Sequence, residues 1–389
     1  MQQKNYFVEF RAPRSNRKAS QFLERLNKFV PNILTLKKKI GVPRALSYYN
    51  NYPFYYVFLS SLGFEIILSD KTTTKLINDG ASHVVSDTCL PIKVFVGHLI
   101  NLLDKGIDTI FVPSLQSTDY KINNCSKIRG LPEIIRNVID RPFKMIEPTL
   151  DKTEGLGIKE FCYETAHQLD IFDEDLIEKA IVAGWECYDR FIQIAKSGVS
   201  QNVAIESAIQ NKQVLKKMEL VKTLSVVIMA HGYNLYDERL SMRLLNKLEK
   251  MGVKAFTALD ITREQQLNSI KELGEIQYWA NELDLTGTAA HYLLNNSVDG
   301  IIALSAFGCG PDSLMVDEIQ YHAGERNMPM IHLTIDEHTG EAGFVTRLEA
   351  FVDMLSRKKM KAKLLQKTEK KTVTKLEERK KEEKVLTKV

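Results

Sequence analysis

From Lys39 onward the chain alternates short apolar runs with amphipathic stretches, and this alternation restricts it to very few folds. The first runs are IGVPR (40–44), FEIIL (64–68), HVV (83–85), TIFVP (109–113) and PFKMI (142–146). Between them, residues 53–62, 73–79, 91–104 and 132–139 carry helical periodicity. A short apolar run suits a strand buried on both faces, and the helices between runs supply the cover, so a parallel sheet is expected. Residues 151–220 break the rhythm with long helical periodicity and no strand run, which predicts a helical connector. The rhythm resumes in LSVVIMA (224–230), KAFTAL (254–259), DGIIALS (299–305) and PMIHLTI (329–335), with helices expected over 236–250, 280–295, 311–324 and 342–354. No repeat of 20–50 residues is visible, which excludes a solenoid. The expected fold class is α/β: two flavodoxin/Rossmann-like parallel-sheet domains, 39–150 and 221–356, joined by the helical connector 151–220. A basic N-terminal extension (1–38) and a basic C-terminal tail (357–389) flank them.

Of the 389 residues, 44% are hydrophobic and 26% charged, a composition that excludes a disordered or fibrous chain. No stretch reaches about 18 consecutive apolar residues and the first residues lack a secretory pattern, so a cytoplasmic protein without a membrane partner is expected. The overall charge of +4 conceals +8 in residues 1–39 and +9 in 357–389, which leaves 40–356 at −13. The tail mixes signs and has no aromatic residue, so a solvated, partly helical segment is expected rather than a nucleic-acid-binding arm. Five cysteines, an odd number in a long chain, point to thiols or metal ligands rather than a disulfide framework.

Three of the five share a local context. Cys89 lies in SDTCLPIK, Cys125 in INNCSKIRGLPE and Cys309 in AFGCGPDS, each followed by a proline able to open a helix: Pro91, Pro132 and Pro311. All three are expected in strand-to-helix loops, where ligands of open parallel sheets bind. Unpaired amides at a helix start favour a thiolate over a thiol and suit a metal-bound sulfur. The spacings match no zinc pattern, so from the residues alone a metal site and simple packing both stand. Cys162 and Cys187 fall on the connector beside aromatic residues and read as core.

Other candidates are less distinctive. Arg44 follows the first strand and His231 the first strand of the second half, where each could reach a crevice ligand or cap a helix. Glu337, His338 and Glu341 in IDEHTGEAG could position acid-base groups or hold a turn together. Lys93 lies one turn into the helix after Cys89 and can look back at its sulfur; His98, a turn further, cannot. The aromatic group from Tyr48 to Tyr56 reads as core and rim. There is no GxxxxGK[ST], no GxGxxG after a strand, no GxSxG and no HExxH, so no nucleotide cradle or hydrolase motif is present.

KKKIGVPRALSYYNNYPFYYVFLSSLGFEIILS, SDTCLPIKVFVGHL, CSKIRGLPE, DGIIALSAFGCGPDS and IDEHTGEAGFVTRLEAF resemble the 2-hydroxyacyl-CoA dehydratase superfamily over about residues 38–356. The likeness is closest to its activase-related branch of unassigned activity. It implies that Cys89, Cys125 and Cys309 hold a 4Fe-4S cluster between the two domains, with one iron left without a protein thiolate. In the dehydratases that iron binds the thioester carbonyl of a 2-hydroxyacyl-CoA, and an electron from a separate ATP-hydrolysing activator makes a ketyl radical that expels the neighbouring hydroxyl. The resemblance thus implies a 4Fe-4S protein receiving electrons from an activator for reductive chemistry such as this dehydration, as a lyase or the reductase component of an ATP-coupled pair. An acyl-CoA substrate, a dimer, and catalytic roles around the cluster for Lys93, Arg44, His231, Glu337 and His338 are the corresponding expectations. The dehydratases proper add a larger substrate-binding subunit, so ester specificity does not carry over, and five cysteines are one short of a double cubane. The alternatives are a non-catalytic electron-transfer or scaffold subunit of an activase complex, and a metal-free or zinc-stabilised interaction module.

Overall fold

The computed structural model describes residues 38–386 apart from 120–121 and 215–221, with side chains up to 365. The N-terminal extension therefore lies, except for Lys38, outside the described residues. The strands in chain order are β1 (Lys39–Val42), β2 (Glu65–Leu68), β3 (Thr109–Phe111), β4 (Ser114–Ser117), β5 (Lys144–Ile146), β6 (Thr149–Asp151), β7 (Leu224–Met229), β8 (Val253–Phe256), β9 (Gly300–Ala306) and β10 (Met330–Ile335). Two four-stranded parallel sheets form, ordered β2-β1-β3-β5 and β10-β9-β7-β8. Counted within its own domain, each sheet has the order 2-1-3-4, so the halves repeat one Rossmann-like, flavodoxin-type winding. Each switches direction between its first and third strands, where such sheets bind ligands.

The central strands bury both faces, which is why they read as unbroken apolar runs. Val226 and Ile228 of β7 and Ile302 and Leu304 of β9 enter one core. Their neighbours Val227, Met229, Ile301 and Ala303 enter another on the opposite face. The first of these cores also contains Leu90, Val94, Leu99, Ile110 and Ile135, so one apolar interior runs through both domains. A further core joins Ile40, Val42 and Phe111 to the helix Tyr48–Ser61 and the connector helices Ile158–Gln168, Glu174–Ala195 and Gln201–Ile209, and it encloses Cys162 and Cys187.

Several elements differ from the sequence reading. HVV (83–85) lies in the turn between the helices Thr74–Ala81 and Leu90–Asp104, with Val85 72% exposed and no strand beside it among the described residues. β4 and β6, polar and very short, pair in parallel as a separate two-stranded sheet, so a strand ends where the helical connector was expected to begin. The helix expected over 236–250 is interrupted: Gly232–Leu235 and Leu244–Lys250 are helical, with Met242 and Arg243 at positive φ between them. An additional helix, Arg263–Leu273, starts at a Thr262/Gln265 capping box. The last helix runs from Glu341 to Leu386 and takes in most of the basic tail.

Two local devices fix the helices beside the site. Thr74–Ala81 and Leu90–Asp104 cross at Gly80 and Gly97; a Cβ on Gly80 would lie 1.9 Å from the Lys93 carbonyl oxygen, and one on Gly97 2.0 Å from that of Leu76. Pro53, inside Tyr48–Ser61, cannot donate to the Tyr49 carbonyl four residues back. The Gln201 side-chain amide does so instead, at 2.9 Å, and ties the connector to the first domain.

Candidate functional site

Cys89, Cys125 and Cys309 are each the N-cap of a helix: Leu90–Asp104, Ser126–Arg129 and Gly310–Glu325. Cys309 occupies the expected strand-to-helix loop, after β9. Cys125 does so too, at the end of the loop from β4 to Ser126–Arg129, whereas Cys89 ends a helix-to-helix turn. Pro91 and Pro311 sit in the first turns of the cysteines' own helices, whereas Pro132 opens the next one, Leu131–Val138.

The three cysteine loops meet at the junction of the domains, close enough for their thiols to act on one another. Gly308, at φ +78°, sets its Cβ position 3.6 Å from Cys89 Cα, so the loops carrying Cys309 and Cys89 touch. Only glycine takes this left-handed backbone without strain. The Cys125 loop is held to the second domain by the Ala280 N–H donating to the Asn123 carbonyl at 3.1 Å, and by Arg263 bridging Asp119 and Asp284. Burial raises all three thiols above the ordinary range, Cys125 to about 11, and repulsion between them adds to this: Cys89 acts on Cys125, and both act on Cys309. The amides of Ile92, Ile128 and Asp312, one turn into each helix, pull the other way and favour the thiolates. The sulfurs are not gathered within 4.8 Å of one another. A single tetrahedral zinc, with Zn–S about 2.3 Å, needs thiolates about 3.8 Å apart. Thiolates on different irons of a cluster stand further apart, so three helix-capping cysteines, one buried and two half-buried, with their sulfurs spread in this way suit a cluster better than one ion.

Around this junction the polar candidates divide. Lys93 points across the domain boundary, its ammonium 2.6 Å from Glu337 Oε1, and that contact holds Glu337 below the ordinary carboxylate range although burial opposes it. His338 is exposed, and its N–H closes the Asp336–Thr339 turn; Glu341 pairs with Lys247. The IDEHTGEAG cluster is thus a hydrogen-bonded turn with one member, Glu337, turned inward. Arg44 donates through Nε to the Ser69 carbonyl at 2.7 Å and lies over the Tyr48 ring. With Tyr49, Lys71, Asp237, Arg239 and Arg243 it lines a cavity of about 270 Å³ between the domains, which none of the three cysteines lines. Asp237 there is buried but satisfied: Tyr49 Oη donates to it at 2.8 Å, as do Thr72 and the amides of Arg239 and Leu240.

His231 caps Gly232–Leu235 beyond β7 and is buried with two groups the sequence reading did not single out, Glu282 and Asp312. These begin helices far apart in the chain, and an acid in a first helical turn reads as ordinary helix chemistry. Only the FGCGPDS context of Asp312 carried a signal. Both carboxylates act on the cysteines: Asp312 raises the Cys89 and Cys309 thiols and Glu282 raises that of Cys125.

Two wound sheets with three thiols at their junction define a class of two-domain α/β protein whose site is shared between halves. Residues 39–261, more than half of the chain, match the family described as CoA enzyme activase uncharacterised domain (DUF2229), and the chain belongs to that family. The match includes Cys89 and Cys125 and ends before Cys309. It supports the activase-related branch of the 2-hydroxyacyl-CoA dehydratase-like superfamily, a relationship to CoA enzymes and their activators. No curated protein matches the chain. No helix among the described residues is long and apolar enough to cross a membrane.

Proposed function

We propose that Cys89, Cys125 and Cys309 hold a 4Fe-4S cluster between the two domains, and that the protein accepts electrons from a separate ATP-hydrolysing activator for reductive chemistry on an acyl-CoA, with dehydration of a 2-hydroxyacyl-CoA as the concrete candidate. The observation that carries this reading is that three cysteines from three distant segments and both domains cap three helices and stand close enough for their thiols to act on one another. Bound there, the cluster would supply one-electron reduction and one iron without a protein thiolate as a Lewis acid. The chain's own residues do the rest. The Ile92, Ile128 and Asp312 amides stabilise the thiolates, while Cys89 sits in the apolar core shared by both domains and Cys309 packs against it. The Lys93–Glu337 pair holds the two halves in register beside the cysteines. The neighbouring cavity has mixed walls, with Arg44, Lys71, Arg239 and Arg243 set against Asp237, Glu238 and Glu341, a slight cationic excess that an anionic part of a ligand could use. At about 270 Å³ the cavity is smaller than the ~300–1,000 Å³ of a site that encloses a drug-sized molecule, so it would take a fragment of a CoA ester and not the whole.

The test is anaerobic reconstitution with iron and sulfide counted per chain, followed by EPR of the reduced protein with and without CoA esters. About four of each per chain, lost in Cys89→Ser, Cys125→Ser and Cys309→Ser and kept in Cys162→Ser and Cys187→Ser, supports the cluster. A spectral change with an ester supports substrate binding at the iron, and its absence leaves an electron-transfer subunit. A folded chain that binds neither iron nor sulfide overturns the reading in favour of an interaction module.

A further inference from the structure

His231, Glu282 and Asp312 come from three elements and bring one ligating atom each within 4.8 Å of one another. His231 Nε2 is 2.9 Å from Asp312 Oδ1 and 3.7 Å from Glu282 Oε1. All three residues are at least nine-tenths buried, with 5%, 2% and 1% exposure. Yet His231 Nε2, Glu282 Oε2 and both Asp312 oxygens make no hydrogen bond. The 2.9 Å contact is misaligned for a hydrogen bond, and even counted as an ion pair it answers one oxygen of Asp312 and leaves Asp312 Oδ2 and Glu282 Oε2 without a partner. One turn on, Asn234 and Thr286 also leave buried polar atoms unpaired. Stacking on the Tyr233 ring, with centroids 4.7 Å apart and planes 16° apart, fixes the imidazole plane.

The charges are equally unbalanced. Burial above all raises the Glu282 pKa, and Asp312 and Asp284 add to this, while the imidazole draws it towards its charged form. Burial opposes a charge on the imidazole, yet the carboxylates, Asp312 first, raise its pKa. One imidazolium can answer only one of two ionised carboxylates, and the charge left over is unfavourable in an apolar interior unless another cation answers it. A proton shared within the group would satisfy one pair of atoms and leave the others orphaned. A dication takes a lone pair from each residue and cancels the charge.

We propose that His231, Glu282 and Asp312 form a divalent-cation site, separate from the cysteines, for a first-row metal such as Zn²⁺, Mn²⁺ or Fe²⁺. One imidazole and two carboxylates suit these ions, whereas Mg²⁺ and Ca²⁺ prefer all-oxygen sets and soft ions prefer thiolates. Three protein donors leave a position open to water or to an oxygen of a crevice ligand. The site stands on these three residues and does not depend on the cluster reading.

The experiment is an anaerobic titration of the chelator-treated full chain with Co²⁺, read by absorption, with Zn²⁺ as competitor. The expected result is one Co²⁺ per chain with visible ligand-field bands, no sulfur-to-cobalt charge-transfer band, and displacement by Zn²⁺. Asp312→Asn and Glu282→Gln, close in shape to the native residues, should each weaken binding by more than the roughly 10–100-fold that loss of a merely supporting partner costs, and Cys309→Ser should leave it unchanged. A sulfur-to-cobalt band that disappears in Cys309→Ser would place the ion on the cysteines and overturn the proposal. So would a native chain that keeps its circular dichroism and binds no Co²⁺, a result that needs no variant to fold. Either outcome is separable from the iron and sulfide count that tests the cluster.

Discussion

Lys93 of the first domain and Glu337 of the second form an ion pair at 2.6 Å with the lysine side chain only 5% exposed, so the bond crosses the domain boundary in a nearly dry place. The glutamate is 17% exposed, and this asymmetry sets the expected costs. Glu337→Gln strands a buried ammonium and should destabilise the protein by about 3–5 kcal/mol. Lys93→Met leaves a carboxylate that water can reach and should cost clearly less. The double variant should recover part of the Glu337→Gln loss. Urea unfolding midpoints of the four proteins check this. Equal single losses with strict additivity would mean that the contact carries no coupling.

Gln201 is expected to matter because of Pro53. With the Gln201 amide removed in Gln201→Ala, the buried Tyr49 carbonyl loses its donor, at a cost of about 1–3 kcal/mol. Pro53→Ala restores an N–H able to reach that carbonyl along the helix, so Gln201→Ala made in the Pro53→Ala background should cost much less. The same loss in both backgrounds would show that Gln201 acts through something other than this carbonyl.

The sheets were legible because strands such as β7 and β9 bury both faces and interrupt their apolar runs with only one serine each, Ser225 and Ser305. β4 and β6 were not, since SLQS and TLD lack any such run and pair only because the chain brings them together. HVV misled for the opposite reason: it is apolar in composition but only a turn between helices. Within the candidate site, Pro91 and Pro311 revealed the helix starts at Cys89 and Cys309 because they are local signals, whereas Pro132 belongs to the helix after the one that Cys125 caps. Lys93 was expected to face Cys89 one turn back, and it faces Glu337, 244 residues away in the chain. Glu282 and Asp312 escaped notice because each looks like an ordinary first-turn acid until tertiary structure sets both against His231.

The crossing of Thr74–Ala81 with Leu90–Asp104 leaves no room for a methyl group. In Gly97→Ala the new carbon would overlap the Leu76 carbonyl, which is backbone and cannot rotate away, so the helices must separate. Such overpacking costs about 1–3 kcal/mol and occasionally more. Because Cys89 caps the displaced helix, Gly97→Ala should also slow or reduce anaerobic incorporation of iron and sulfide, whereas Gly324→Ala, with open space around its Cβ position, should not. Circular dichroism melts and iron counts on both variants separate the two effects.

His98 provides a pH test with a definite sign. It is fully buried, with Nδ1 2.8 Å from Ser69 Oγ and Nε2 3.0 Å from Thr72 Oγ1. Burial, helped by the nearby Arg44 charge, pushes its pKa down to about 3. The folded protein thus keeps the imidazole neutral over a range in which the unfolded chain, at about 6.5, takes up a proton. A depressed folded pKa contributes stability that is fully present above the unfolded value and is lost as pH falls towards the folded one. The loss attributable to His98 should therefore begin near pH 6.5 and continue towards pH 3, at about 1.4 kcal/mol per pH unit. His98→Gln is neutral throughout and should lack this slope, so its stability deficit relative to the native protein should narrow as the pH is lowered from 7 to 5. Unfolding midpoints at pH 7, 6 and 5 give the comparison, and parallel curves would mean that His98 takes up its proton equally in the folded and unfolded chains.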